Sequence, residues 1–285
     1  MTFLALVLQA RETLVRAGIS SDTAAFDADL LARHACRWDR ATWLAHRSDA
    51  ADPAFEQAYA ALIARRCTRE PVAYIRGTQE FWGRDFLVTP DVLIPRPETE
   101  LIVEAAIAIV KEQPDASIAD VGTGSGCIAI TLALECPGAR VWATDISEEA
   151  LVVARENARR LGAAERVSFV HGSYLAGVPQ PLHLIVTNPP YVAERDRTGL
   201  APEVGEHEPA VALFGGADGS RHVRALLREA RDILPLNGHL VMEIGYGQIL
   251  AIESEVQDVR GLTLEAIRED LQSIPRVLVV RRADA

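Results

Sequence analysis

The sequence predicts a two-part α/β protein: a small helical region followed by a doubly wound, seven-stranded, mostly parallel sheet. Three observations carry this expectation. From Ser117 onward, short apolar runs of strand length alternate with runs of helix length, the pattern of strands joined by helical crossovers. The first of these strands closes on a glycine-rich turn, Asp120-Val121-Gly122-Thr123-Gly124-Ser125-Gly126, that opens a helix. Residues 1–70 show helical spacing and no strand-like alternation.

Taken in order, Leu4, Val7, Leu8, Leu14 and Val15 recur at helical spacing, and Gly18 can stop that helix. Ser21 or Asp22 is placed to cap a second helix carrying Phe26, Leu30 and Leu31. Asp52-Pro53 is an N-cap followed by proline at the first helical position, leading into Phe55, Tyr59, Leu62 and Ile63. Between 71 and 96, Phe81-Trp82-Gly83, Phe86-Leu87-Val88 and Val92-Leu93-Ile94 are short apolar pieces among Gly and Pro, as in a hairpin-like connector. Pro95 and Pro97 end it, and a helix runs from about Glu98 to Val110. Strands are expected at Ser117–Val121, Arg140–Thr144, Val167–Val170, Leu182–Val186 and His239–Glu243. Helices fall between them at Cys127–Glu135, Glu148–Leu161 and Arg221–Leu234, with Ser147 as an N-cap and Gly162 as a stop. Leu262–Glu265 and Arg276–Arg281 form a closing hairpin, hence one antiparallel strand. The expected domains are 1–75 (helical), 76–96 (connector) and 97–285 (catalytic).

At 285 residues, 49% hydrophobic and 24% charged, the chain suits a large core and is neither disordered nor fibrous. No apolar run approaches the roughly 18 residues of a membrane span; Leu101–Val110 is broken by Glu104. The N-terminal residues read as an amphipathic helix, not a signal peptide. Cys36, Cys67, Cys127 and Cys136 form no CxxC pair, and the seven histidines lack metal-ligand spacing, so neither a disulfide framework nor a metal site is expected. The expectation is a cytoplasmic protein with free thiols. The net charge is −11, all of it beyond residue 80: residues 1–80 balance 10 basic with 10 acidic groups, and 81–285 hold 19 basic against 30 acidic. An acidic body disfavours a dedicated nucleic-acid binder, whose affinity rests on Lys and Arg contacts to phosphate.

The chemistry-bearing residues cluster in two places. Glycines in Gly122–Gly126 let the chain turn tightly and let a ligand approach the backbone. Asp145 ends the next strand and can accept both hydroxyls of a ribose. The dinucleotide fingerprint GxGxxG would place its third glycine at 127, which is Cys; here it is Gly126. This GxGxG spacing suits a ligand without a pyrophosphate, such as S-adenosylmethionine. The second cluster, Asn188-Pro189-Pro190-Tyr191, directly follows the fourth strand. Two prolines fix two φ angles and donate no backbone hydrogen bond, leaving a rigid corner with open carbonyls. A planar NH₂ group can give one hydrogen to the Asn188 side-chain oxygen and the other to the Pro189 carbonyl, with Tyr191 stacked on its plane. That suits methylation of an amide or aniline-type nitrogen, whose lone pair is delocalised and gains most from orientation and desolvation.

With these blocks in view, the sequence resembles the HemK-type (PrmC family) protein-glutamine methyltransferases of peptide chain release factors over nearly its whole length. The resemblance is carried by Glu70–Gly77, Phe81-Trp82-Gly83, Leu93-Ile94-Pro95-Arg96-Pro97-Glu98-Thr99-Glu100, Asp120–Gly126, Asn188–Tyr191, Glu208-Pro209 and Glu243-Ile244-Gly245 with Gln248. The Asn-Pro-Pro-Tyr corner is shared with DNA adenine methyltransferases; the Ile-Pro-Arg-Pro-Glu-Thr-Glu block is far more specific. A sister group acting on a ribosomal protein continues differently after Ile-Pro-Arg. The resemblance implies a Rossmann-like, S-adenosylmethionine-dependent methyltransferase fold with a small N-terminal helical domain. It implies methyl transfer to the side-chain amide of the glutamine in a release factor's Gly-Gly-Gln loop, modulating translation termination, with S-adenosylhomocysteine as product. It also implies that Gly122, Thr123, Gly124, Ser125, Gly126, Asp145 and Tyr174 hold the cofactor, with Asn188 beside it. Asn188, Pro189, Pro190 and Tyr191 would hold the glutamine, and the N-terminal helices would help dock the release factor. The family's acidic residue near the adenine is replaced here by Ser173, ahead of Tyr174.

Arg96, a further substrate-binding candidate, either lines the docking surface or pairs with an acid. Glu98 and Glu100 read as complements to a helix N-terminus. Trp38, Trp43 and Trp82 read as packing residues. The long polar stretch Val192–Gly219, with Gly215-Gly216 and Gly219, reads as a mobile lid at the substrate entrance. The competing readings are a methyltransferase of ribosomal-protein glutamine or DNA adenine, a nicotinamide oxidoreductase and a cofactor-binding scaffold. An oxidoreductase leaves Asn188–Tyr191 without a role, and the intact Asn188 argues against a scaffold.

Overall fold

The computed structural model describes every residue except Glu112, Pro114 and Ala285. The chain divides into two units, one made of Met1–Thr78 and Ala201–His207, the other of Gln79–Leu200 and Glu208–Ala285. The connector expected at 76–96 is therefore not a separate piece: from Gln79 it is part of the second unit. The run 201–207, expected within the catalytic domain, belongs to the first.

The first unit contains α1 (Phe3–Arg16), α2 (Ser21–Cys36), α3 (Arg40–His46), α4 (Pro53–Cys67), α5 (Val72–Arg76) and the single turn α9 (Pro202–Gly205). Its core joins Val7, Leu14, Leu31, Trp43, Phe55, Tyr59 and Ile63. The Asp52 side chain accepts from Phe55 N–H at 2.8 Å, with Pro53 opening the helix as the sequence signals. Two details differ from expectation. The N-cap of α2 is Ser20, and its buried face is Ala24, Asp27, Ala28 and Leu31, which leaves Phe26 66% exposed. The buried stripe of α1 is Phe3, Val7, Ala10 and Leu14, with Leu8 and Val15 outward. Residues 201–207 join this unit through Glu203. Arg66, buried on α4, donates to Asp27 at 2.7 Å and to Glu203 at 2.8 Å, and Arg69 donates to both Glu203 oxygens at 2.8 and 2.6 Å. Burial pushes Glu203 up, but the arginine hydrogen bonds outweigh it and hold its carboxyl at about 2.

The second unit opens, from Gln79, within the hairpin of β1 (Thr78–Phe81) and β2 (Arg84–Leu87), whose Phe81 and Phe86 join its core. A 3₁₀ turn at Pro97–Thr99 leads into α6 (Glu100–Val110), and Glu100 accepts from Trp82 N–H at 2.7 Å. Then follow β3 (Ser117–Val121), α7 (Cys127–Glu135), β4 (Arg140–Asp145), α8 (Glu148–Arg160), β5 (Val167–His171), β6 (Leu184–Thr187), α10 (Ala210–Leu213), α11 (Arg221–Ile233), β7 (His239–Glu243), α12 (Ile249–Asp258), β8 (Leu262–Glu269) and β9 (Pro275–Arg282). The seven strands lie in the order β5-β4-β3-β6-β7-β9-β8. β5, β4, β3, β6 and β7 pair in parallel, and β9 is antiparallel to both β7 and β8. Each central strand sends alternate residues to opposite layers. Ile118, Leu184, Val186, Val241 and Val279 pack with α6 and α7, while Ala119, Ile185, Leu240, Met242 and Val280 pack with α11 and α12. This two-sided burial explains why the strands read as unbroken apolar runs. α12 escaped the sequence reading because its buried face is just Ile252 and Val256.

β6 begins at Leu184, two residues later than expected, and β8 is twice as long as its apolar signal. Val192–Gly219 is not a plain loop: it holds a 3₁₀ turn at Glu194–Gly199, then α9 and α10. Among the described residues, no helix is long and apolar enough to cross a membrane.

Candidate active site

The chain order reverses direction across the sheet between β3 and β6, and the ends of these neighbouring strands open the crevice where such sheets bind ligands. Here a cavity of ≈ 450 Å³ is lined by Gly122–Ser125, Asp145, Ser173, Tyr174, Thr187–Pro190, Arg96 and Thr99, together with Arg197, Phe214 and His222. All of these residues belong to the second unit.

Beyond β3, Gly122 and Gly124 take φ of +71° and +54°, where a side chain is strained. The N–H groups of Gly122 and Thr123 both donate to the Thr144 carbonyl at 2.9 Å, pinning the turn to β4. A Cβ at Gly122 or Gly124 would meet nothing within 4 Å, so their bare faces look into open space. Gly126 does a different job. A Cβ there would stand 2.8 Å from Ile130 Cδ1 and 3.2 Å from Ala154 Cβ, and Gly126 is absent from the cavity wall. It is the close-packing glycine between α7 and α8. Asp145 Oδ2 accepts from Gly124 N–H and Oδ1 from Ser147 N–H, both at 2.9 Å, leaving a lone pair on each oxygen for a ligand hydroxyl. Beneath the turn, the fully buried Asp120 accepts from Thr123 Oγ1 at 2.7 Å and Ala129 N–H at 3.1 Å, and burial pushes its carboxyl up to about 7. Tyr174 holds φ +51°, accepts on its carbonyl from Thr144 Oγ1 at 2.7 Å, and sets its hydroxyl 3.0 Å from His222 Nδ1.

The elbow Asn188–Tyr191 leaves β6 on the other side of the cavity. Thr187 Oγ1 donates to the Val121 carbonyl at 2.8 Å, tying elbow strand to cradle strand. Behind the elbow, Gln248 Nε2 donates to the Tyr191 carbonyl at 2.9 Å while Gln248 Oε1 accepts from Gly245 N–H at 2.8 Å. A Cβ on Gly215 would come 2.5 Å from the Pro190 carbonyl oxygen, and one on Gly219 would strike the Tyr191 carbonyl oxygen. These glycines, read from sequence as lid flexibility, permit a close backbone approach that braces the elbow.

The polar wiring under the elbow converges on Glu243, the last residue of β7, 2% exposed. Thr99 Oγ1 donates to Glu243 Oε2 at 2.6 Å, Tyr191 donates its hydroxyl to Oε1 at 3.3 Å, and Asn188 Nδ2 donates to Thr99 Oγ1 at 3.1 Å. Burial pushes Glu243 up to about 7, against the pull of the Thr99 and Tyr191 hydrogen bonds, and burial also raises the Tyr191 phenol, which stays protonated. Glu208 is a second buried anchor: it accepts from Ile94 N–H at 3.2 Å and pairs with the Arg96 guanidinium. Of the two readings of Arg96, the structure shows the pairing with an acid, and it also sets Arg96 on the cavity wall. Among the described residues, no three His, Cys, Asp or Glu side chains are grouped to hold a metal ion.

Residues 5–77 match the family profile of the PrmC N-terminal domain, and residues 99–204 that of the methyltransferase small domain. A release factor glutamine methyltransferase of Cereibacter sphaeroides is 43% identical over 268 residues, covering 94% of this chain and 94% of the relative. One from Koribacter versatilis is 45% identical over 80% of each chain, and one from Burkholderia pseudomallei 40% identical over 88% of this chain and 90% of the other. The chain belongs to the release factor glutamine methyltransferase family. Among solved structures, the hMettl16 catalytic domain aligns with a TM-score of 0.56 at 14% identity, covering 79% of this chain and 92% of that one. A methyltransferase from Pyrococcus furiosus aligns at 0.51 and 19%, covering 72% and 91%. At such identities these show the fold, a methyltransferase-type α/β sheet with its mostly parallel seven strands.

For this family member, the structure brings the cradle, Asp145, Tyr174, Arg96 and Asn188–Pro190 to one cavity, and sets two sequence candidates off its wall. Gly126 packs helices. Tyr191 is also absent from the wall, its hydroxyl turned to Glu243. Thr99 and Glu243 are functional residues to which the sequence assigns no role. Their signal is faint but present: an acid ends an otherwise apolar strand at Glu243, as at Asp145, and acids at strand ends of such sheets face the ligand crevice.

Proposed function

We infer that this chain transfers the methyl group of S-adenosylmethionine to the side-chain amide nitrogen of the glutamine in a release factor's Gly-Gly-Gln loop. The observation that carries the reading is the sharing of one cavity by a bare glycine cradle and a proline-stiffened elbow. The cradle fits the cofactor: Gly122 and Gly124 offer backbone without side chains, Asp145 keeps acceptor capacity for a ribose, and Tyr174 offers an aromatic wall. When bound, S-adenosylmethionine supplies an electrophilic methyl carbon on a sulfonium.

The protein's own share is orientation. Among the described residues neither Asn188 Oδ1 nor the Pro189 carbonyl accepts a hydrogen bond, so both are open to the two hydrogens of a carboxamide. Held so, the nitrogen is aimed rather than deprotonated in advance. It would take the methyl carbon as the methyl–sulfur bond broke, its electron pair staying on sulfur as S-adenosylhomocysteine, and would then lose one proton to solvent, leaving a secondary amide. Positioning of this kind is the effect most able to accelerate attack by a weak nucleophile. Tyr191, tied through its hydroxyl to Glu243 and through its carbonyl to Gln248, stiffens the corner from behind the cavity wall, in place of the stacking role expected of it. The helical unit serves in docking the substrate protein, and the work is done in the cytoplasm.

The test is methyl transfer from labelled S-adenosylmethionine to four acceptors: a release factor, its Gln→Ala variant, duplex DNA and ribosomal protein. Label should enter the release factor alone. Label on DNA, or undiminished label on the Gln→Ala protein, rejects the reading.

A further inference from the structure

We propose that Thr99 and Glu243 are a positioning pair that sets which edge of the Asn188 carboxamide faces the cavity, and thereby selects an amide over a carboxylate as the group methylated. The inference deepens the proposed function and rests on it for its substrate.

A threonine hydroxyl has one hydrogen to give and lone pairs to accept with. Facing an ionised Glu243, Thr99, 3% exposed, spends its hydrogen on Glu243 Oε2 at 2.6 Å. The other carboxylate oxygen is taken by the Tyr191 hydroxyl at 3.3 Å. Thr99 Oγ1 can then only accept, and the end of Asn188 that meets it must be the NH₂, as found at 3.1 Å. A flipped Asn188 would set two acceptors against each other in a buried place, which such sites do not tolerate. The carboxamide oxygen is therefore held toward the cavity. Two acceptors, Asn188 Oδ1 and the Pro189 carbonyl, suit an NH₂ group and repel a carboxylate. Were Thr99 free to give its hydrogen to Asn188, the asparagine could turn its NH₂ outward and favour the carboxylate instead. Neither Glu243 nor Tyr191 lies on the cavity wall, so both act through Thr99 and the elbow rather than on the substrate.

The test uses the full chain in three variants: Thr99→Val, nearly isosteric but without the hydroxyl; Thr99→Ser, which restores it; and Glu243→Met, which removes the acceptor that orients Thr99. The first readout needs no substrate. In ¹⁵N-labelled protein, exchange with water of the Asn188 side-chain amide protons is followed, assigned by their disappearance in Asn188→Asp. In the wild type and Thr99→Ser, one of the two protons should exchange slowly; in Thr99→Val and Glu243→Met that protection should be lost. The second readout is turnover on the release factor at saturating cofactor. Thr99→Val and Glu243→Met should lose roughly 30-fold or more in kcat, as expected for a reacting group held loosely, with cofactor Kd within about twofold. Thr99→Ser should recover most of the rate. Retained protection with wild-type kcat in Thr99→Val overturns the proposal, as does Thr99→Ser falling as far as Thr99→Val. If instead the wild type fails to methylate the release factor, the functional reading fails, while the exchange measurement still decides the orientation of Asn188.

Discussion

Replacing Gly215 with alanine drives one methyl carbon against the Gly219 carbonyl oxygen, with that group's carbon at 2.8 Å, and to 2.5 Å from the Pro190 carbonyl oxygen. Ordinary contact begins near 3.4 Å, so the elbow or Gly215 must yield by about 0.9 Å. Gly215 is poorly placed to yield, because its N–H donates to the Val192 carbonyl at 2.9 Å and its carbonyl accepts from Arg221 N–H at 3.0 Å. Its φ is not in the left-handed region, so the penalty is contact alone. The displacement is shared between the Pro190 carbonyl and Gly219, which itself packs on the Tyr191 carbonyl, and both lead into the corner that offers Asn188 and Pro189 to the substrate. A misplacement near 1 Å costs on the order of 100-fold in rate, about 2.7 kcal/mol of barrier. Gly215→Ala should therefore lose ~100-fold in single-turnover rate on the release factor while cofactor affinity by calorimetry stays within about twofold. Gly199→Ala is the matched control in the same stretch, because a Cβ there meets nothing within 4 Å, and its rate should be unchanged. A Gly215→Ala enzyme with a normal rate and a normal melting temperature would refute the bracing role.

The other consequences are these. Gly124→Ala should weaken cofactor binding by ~10-fold or more, since its new methyl enters the cradle, whereas Gly126→Ala should lower the melting temperature by several degrees through its clash with Ile130 and Ala154, a cost of about 1–3 kcal/mol; calorimetric Kd and thermal melts separate the two. Turnover should fall as pH drops through about 7, because Glu243 accepts from both Thr99 and Tyr191 as a carboxylate. Burial, followed by the repulsion of Glu98, raises that group against the hydrogen bonds and the attraction of Arg276, and Cys127 also lies within its field. A kcat profile flat from pH 6 to 8 would contradict this. In the helical unit, Glu203 sits below its ordinary value, so the stability it adds is present above about pH 4.5 and drains away as pH falls toward 2. After allowance for solvent screening it amounts to about 1–2 kcal/mol, and Glu203→Gln should flatten that part of the acid limb in calorimetric scans.

Much of the frame was legible in the sequence because its causes are local. Two-sided burial writes itself as continuous apolar runs such as Leu240-Val241-Met242, and the GxGxG turn and the double proline restrict φ wherever they occur. The cavity wall followed from the same signals, since parallel strands deliver Asp145 and Asn188 to one edge of the sheet. A glycine, by contrast, announces that a side chain is missing and not why. Gly215 and Gly219 read as a flexible lid and prove to be the bracing of the elbow, and Gly126 reads as cradle and proves to be helix packing.

The sequence by itself determined the sheet, the cradle and the stiff corner, all consequences of backbone restriction and of periodicity over a few residues. Tertiary structure decided which polar groups meet. Thr99 and Glu243 lie 144 residues apart and share a hydrogen bond, and residues 201–207 leave the second unit to give Glu203 to two arginines of the first. Such pairings depend on burial, where an unpaired charge or hydroxyl is costly and must find its partner at any distance along the chain.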